Sequence, residues 1–178
     1  MHCSSDQGMR GGRHDRLRDK VFKEAQLASL NPTKERPNLI TASLSRPADV
    51  YIPYWLDGRR LAFDVSVTSP TQERLILRAA ETPGVAIEQR KSTKIRGHSD
   101  ACRQEGIHFY PLVVETFGGW DKEAVDLLKK LARHSARRWG KNDSIQIKHF
   151  FQQLSVTLQR GNAALLIDRD RDLNMALS

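Results

Sequence analysis

The chain has 178 residues, 39% of them hydrophobic and 28% charged, with a formal net charge of +8. That length supports one domain with a real core, and no apolar run approaches the ~20 residues of a membrane-spanning helix, which argues against a membrane protein. Two cysteines, Cys3 and Cys102, are too few for a disulfide scaffold or a four-ligand zinc site and fit a reducing compartment, while the surplus of lysine and arginine favours a polyanionic partner through counterion release.

Residues 1 to 13 are small and polar and carry Gly8, Gly11 and Gly12, so a flexible lead-in is expected there. From His14 the spacing turns helical, with Leu17, Val21, Ala25 and Ala28 in one apolar stripe until Asn31-Pro32 stops it. His14, Arg18 and Asp19 near its start read either as a polar site or as a solvated helix face. Glu24 and Glu35 are the nearest further acids, each a candidate supplementary metal ligand. Leu39-Ile40-Thr41 is β-prone, a first strand or an extended connection.

Two β-type runs follow, Arg46-Pro47-Ala48-Asp49-Val50 and Leu61-Ala62-Phe63-Asp64-Val65-Ser66-Val67, joined by a turn containing Asp57-Gly58, a strong hairpin signal. A two-residue turn would set Leu56 opposite Arg59, Asp49 opposite Ser66 and Tyr51 opposite Asp64. Asp49 and Asp64 would then share a face as diagonal neighbours, about 7–8 Å apart at the backbone, with carboxylates able to meet on one cation. A three-residue loop would put them on opposite faces.

Ser69-Pro70 ends the second strand, residues 71 to 80 read as helical, and Thr82-Pro83-Gly84 breaks that helix before a longer one over 85 to 105. Steps of three and four from Ile87 meet Lys91, Lys94, Ile95, His98 and Cys102, which puts two lysines on the apolar stripe. Such a lysine either snorkels outward or meets a negative partner, and the hairpin offers two. Glu88, one turn before Lys91, can reach the same place or pair with that lysine on the surface. Residues 107 to 115 read as a buried strand with Pro111 near its start, and Glu115 at its end either faces the site or is a loop-edge charge.

Asp121 looks like the N-cap of a helix carrying Ala124, Val125, Leu128, Leu131, Ala132 and Ser135 on one face. The far end of that helix is basic, with Lys129, Lys130, Arg133, Arg137, Arg138 and Lys141 around Trp139. This is a candidate phosphate-binding patch, although basic residues in a last turn also complement the helix dipole. A last helix from Asn142-Asp143-Ser144 packs Ile147, Phe150, Phe151, Leu154 and Leu158 on one face, and Gly161-Asn162 is expected to interrupt it. The expected organisation is a lead-in over 1–13, an α/β core over 14–139 with a small mixed sheet between helices, and a helical extension over 140–178 packed on the core.

Two carboxylates on adjacent strands and a lysine on a neighbouring helix form a constellation suited to phosphodiester hydrolysis. Hard oxygens hold Mg²⁺ or Mn²⁺, and a lysine orients the attacking water or stabilises the pentavalent charge. At these residues the chain resembles the PD-(D/E)XK nucleases, with their restriction-endonuclease-like fold. Pro47-Ala48-Asp49 looks like the "PD" element with one residue inserted, and Asp64-Val65-Ser66 stands where the acidic-x-lysine tripeptide is expected, fifteen residues on from Asp49. Ser66 occupies the lysine position, and members of this superfamily can supply that lysine from the following helix.

The runs 14–19, 46–50, Asp64 to Pro70, 111–116 and 154–163 also resemble the carboxy-terminal region of eukaryotic reverse-transcriptase-like, retroelement-derived proteins. This likeness implies a DNA endonuclease of retroelement origin, nuclear in location and without a small-molecule cofactor. Asp49, Asp64 and the Val65 carbonyl would hold the metal, Lys91 or Lys94 would serve the water, with Glu88 beside them, and Arg133, Arg137, Arg138 and Lys141 would contact DNA. The alternatives are a DNA-binding module on the same fold without catalysis, and a fold for protein contacts in which the aspartates pair with Arg46 or Arg60.

Overall fold

In a computed structural model, which describes residues 5–37, 39–40 and 48–176, the chain is a mixed α/β structure. The elements are α1 (Ser5–Leu27), β1 (Thr33–Lys34), β2 (Val50–Ile52), β3 (Arg60–Thr68), α2 (Ile76–Glu81), α3 (Val85–Gln104), β4 (Ile107–Glu115), α4 (Lys122–Arg138) and α5 (Asp143–Ala176). The strands form one sheet in the order β1-β2-β3-β4, antiparallel except for the parallel pair β3–β4, whose crossover is α2 and α3. Pro111, which has no N–H for a ladder, sits on the edge strand β4 opposite Asp64.

The sheet separates two layers. On one side the expected stripe Leu17, Val21, Ala25 and Ala28 of α1 joins Leu128 and Leu131 of α4, Phe150, Leu154 and Leu158 of α5, and Val50, Ile52, Leu61, Phe63 and Val65 of the strands. The alternate strand residues, Tyr51 and Ala62, face the other way, where they meet Cys102 of α3, Leu39, Ile40 and Ile107. Leu39 and Ile40 are therefore buried without being a strand; the first strand is instead the pair Thr33–Lys34, which hydrogen-bonds β2 as Thr33↔Tyr51 and Lys34↔Val50.

Two helix boundaries differ from expectation. Residues 5 to 13 are helical rather than a lead-in, and α5 runs through Gly161-Asn162 without a break. The two regions meet at one contact. Arg13 Nη1 donates to Asn162 Oδ1 at 2.7 Å, and a Cβ at position 161 would come within 2.6 Å of Arg13 Cγ. Gly161 thus serves the close approach of α1 and α5, which offsets its low helix propensity.

The hairpin register also differs, in two steps that cancel. Trp55 N donates to Arg59 O at 2.8 Å and Gly58 N to Trp55 O at 2.7 Å, so the tip is a three-residue loop, Leu56-Asp57-Gly58, with Gly58 at φ +81°. That loop alone would turn the two aspartates to opposite faces. The ladder, however, pairs Ile52 with Leu61, Tyr51 with Ala62 and Val50 with Phe63. Three steps along the first strand, from Trp55 to Ile52, therefore match two along the second, from Arg59 to Leu61. The extra residue lies at Pro53-Tyr54 and acts as a bulge, which restores the face. Continuing the register sets Asp49 beside Asp64, not opposite Ser66.

Candidate active site

Asp64 lies on the α3 side of β3, 7% exposed, at the point where β2 has ended and β3 continues toward its carboxyl end with β4 as its one strand neighbour among the described residues. Lys94 Nζ, two and a half turns into α3, reaches Asp64 Oδ1 at 2.8 Å, and Ser66 Oγ donates to Asp64 Oδ2 at 3.1 Å. Burial pushes the Asp64 carboxyl above the usual carboxylate range; the Lys94 ammonium opposes this and the neighbouring Asp49 charge reinforces it. The two acids are thus close enough to feel one another.

Asp49 is the residue before β2. Its Oδ2 accepts from Val65 N at 2.7 Å, replacing a ladder partner that β2 no longer supplies, and from the His14 ring of α1 at 2.9 Å. The hydrogen bond that the His14 ring donates to Asp49 is the main reason its imidazole is raised from 6.5 to about 9, against its burial. His14 is then a cation at neutral pH, with Nδ1 also 3.1 Å from Asp15. Behind it Arg18, 9% exposed, is fixed by Asp15 at 3.1 Å, Asp19 at 3.1 Å and Glu35, whose own N–H donates to Asp49 O at 3.0 Å. The polar reading of His14, Arg18 and Asp19 is the one that fits, and Glu35 serves Arg18.

The remaining candidates are dispersed. Lys91 Nζ bonds Asp121 at 2.9 Å and Glu123 at 3.2 Å; burial would lower its pKa, but these two acids raise it. It therefore braces the start of α4, where Asp121 caps the helix by accepting from Ala124 N at 3.0 Å. Glu88 is exposed, with Ser92 Oγ 3.4 Å away. Glu24 is buried between α1, α4 and α5, accepting from Ser135 and, at 2.9 Å, from Gln146. Glu115 lies four residues beyond the Pro111 that pairs with Asp64, about 13 Å along the strand. Burial raises the Cys102 thiol to about 11, which leaves it inert.

The basic patch is not beside the acids. Arg133, Arg137, Arg138 and Lys141 are exposed, with Arg137 paired to Asp143 at 3.1 Å and Arg138 over the Trp139 ring at 6.0 Å. Trp139 Nε1 donates to Leu27 O at 2.7 Å, so the patch sits by the carboxyl end of α1, about 20 Å along that helix from His14. Arg60 does not pair with either aspartate; it donates to Glu105 O. Arg46 lies outside the described residues, as do Thr41 and Cys3.

Asp49, Asp64 and the Val65 carbonyl are the groups that could hold a hard divalent cation, with both Asp64 oxygens already accepting hydrogen bonds, from Lys94 and Ser66. Among the described residues Asp49 Oδ1 takes no hydrogen bond. The N–H and C=O of one strand residue project to the same side, so the Val65 carbonyl faces Asp49 past the end of β2. Two carboxylate oxygens and a carbonyl oxygen are the chemistry that Mg²⁺ or Mn²⁺ takes.

His14 is the residue whose part was least visible from the sequence. Its signal was a histidine with Asp15 and Arg18 at the start of an amphipathic helix, and only the packing of α1 against the end of β2 turns it toward Asp49. No protein-family model matches the chain, and no curated protein matches it.

Proposed function

We propose that this chain is a metal-dependent endonuclease domain that hydrolyses phosphodiester bonds in DNA, of the PD-(D/E)XK kind and of retroelement origin, acting in the nucleus. The observation that carries the reading is the pairing of Lys94 with Asp64 at 2.8 Å beside Asp49. Ser66 occupies the family's lysine position, and an ammonium from the following helix reaches the same carboxylate. The four-stranded mixed sheet between helices is compatible with a restriction-endonuclease-like core.

Asp49, Asp64 and the Val65 carbonyl would hold Mg²⁺ or Mn²⁺, which when bound polarises the scissile phosphate and acidifies a water. Lys94 reaches Asp64 at 2.8 Å and would donate to the attacking water or to a phosphate oxygen as negative charge builds up there. His14 fixes the rotamer of Asp49, and Val65 N–H fixes it from the other side. Lys91 has no part in the step, since Asp121 and Glu123 retain it.

Supercoiled plasmid incubated with the purified chain and Mg²⁺ tests this. Nicking that depends on metal and disappears in Asp64→Asn and Lys94→Met is the expected result. Absence of nicking, or nicking that survives Asp64→Asn, removes the catalytic claim. A second reading, a DNA-binding module without catalysis, is favoured by one observation: His14 and Lys94 already compensate both aspartates. It predicts salt-sensitive DNA binding that Asp49→Ala leaves unchanged.

A further inference from the structure

Helix α1 bears a third set of residues besides its buried stripe and the His14–Arg18 edge. Arg16, Lys20 and Lys23 recur at i, i+4 and i+7, so they share one flank, roughly 180–240° around the helix from His14 at about 100° per residue. That flank forms one wall of a groove of about 450 Å³, whose other wall is Thr157 and Arg160 of α5. Among the described residues none of the four cations makes an ion pair. The acid in the lining, Asp19, is committed to Arg18 at 3.1 Å and Lys34 at 3.2 Å.

The row continues. Its next member, at i+11 from Arg16, is Leu27, whose carbonyl accepts the Trp139 indole N–H beside Arg138. The groove and the basic end of α4 therefore form one band about 16 Å long along α1. The residues lining the groove are charged or polar, and its apolar surface is the aliphatic stems of its arginines and lysines rather than an apolar anchor. A helix that binds an anionic membrane pairs its cations with apolar anchors, so the lining favours a nucleic-acid backbone over a lipid surface.

We propose that the α1–α5 groove is a backbone-binding track for nucleic acid, in which Arg16, Lys20, Lys23 and Arg160 contact successive phosphates and lead to the exposed Trp139 and Arg138. It lies around α1 from the two aspartates, so it anchors the strand without touching the centre that would cut it, and it stands whether or not the chain cleaves.

The test is fluorescence anisotropy of a labelled duplex and its single strand, titrated with the whole chain in EDTA between about 50 and 200 mM salt. Replacing Arg16, Lys20 and Lys23 together by Gln should weaken binding at least ~10-fold and flatten the log–log salt slope by about two to three units. The matched variant Arg90→Gln/Arg96→Gln/Arg103→Gln removes the same charge from α3, across the sheet, and should retain most of the affinity. Arg16→Gln/Arg160→Gln, which touches both walls, is the second variant should the triple one fail to fold. Equal losses in the groove and α3 variants would reduce the effect to bulk charge, and an unchanged groove variant would overturn the track. Binding to phosphatidylserine vesicles at salt that releases DNA, abolished by the groove variant, would reassign the surface to lipid. Because the assay runs without metal, failure of the track and failure of the nuclease reading are separate results.

Discussion

The two faces of the sheet are built on different principles. Among the described residues, a cluster of 21 buried apolar residues is continuous toward α1, α4 and α5, whereas toward α3 the cluster has seven and α3 itself buries Ala86 and Cys102. What α3 lacks in apolar packing it replaces with two ammonium groups, Lys94 on Asp64 and Lys91 on Asp121. Hydrophobic burial is non-directional and tolerates small shifts, while an ion pair fixes a distance. Stability therefore resides mainly in one layer and geometry in the other. A centre that must position charged groups sits where packing alone does not decide the arrangement.

Mutations can break or sharpen this contrast. The largest expected effect is in the apolar layer: Leu131→Ala, at 0% exposure, should cost about 3–4 kcal/mol in chemical denaturation, chiefly through the cavity it leaves. An equal loss from Ala86→Gly on the α3 side would contradict the division. Next is the pH dependence of His14. Its pKa is raised to about 9 in the folded chain from 6.5, so its contribution is fully present below pH 6.5 and is lost as pH rises through 9. Urea melts across that window should lose on the order of 2–3 kcal/mol, and His14→Gln should remove the slope.

Lys94→Met leaves Asp64 buried without its cation. Because burial already raises that carboxyl, the variant should be least affected at acid pH, where Asp64 binds a proton. It should lose roughly 1–3 kcal/mol as the pH rises and the unpaired charge must be carried. A loss that does not grow with pH would show that the ammonium is not what holds Asp64. Smallest is Glu88→Ala, expected within about 0.5 kcal/mol of the parent in stability and unchanged in any nicking activity. A marked loss there would bring Glu88 back into the site.

Much of this arrangement was legible in the sequence because periodicity is local. The stripes of α1, α4 and α5, the bounds of α3 and β4, the Asp121 cap and the place of Lys91 and Lys94 on one stripe of α3 follow from spacings within one or two elements. What was not legible depends on pairs distant in the chain. Whether Lys91 or Lys94 reaches Asp64 differs by one turn of α3, and the choice is made by Asp121 and Glu123, thirty or more residues away. The register slip at Pro53-Tyr54 was likewise invisible, since a turn signal fixes a loop and not the bulge that follows it. Gly161 reads as a break until Arg13 is known to lie against it.

The Arg13–Asn162 contact joins residues 149 apart. The entropic cost of closing a loop grows only with the logarithm of its length, so this separation bears less on stability than on folding rate, which contacts between distant residues slow. His14 lies on the same helix, so the neighbour that Asp49 gains is likewise delivered by a contact distant in sequence, 35 residues away.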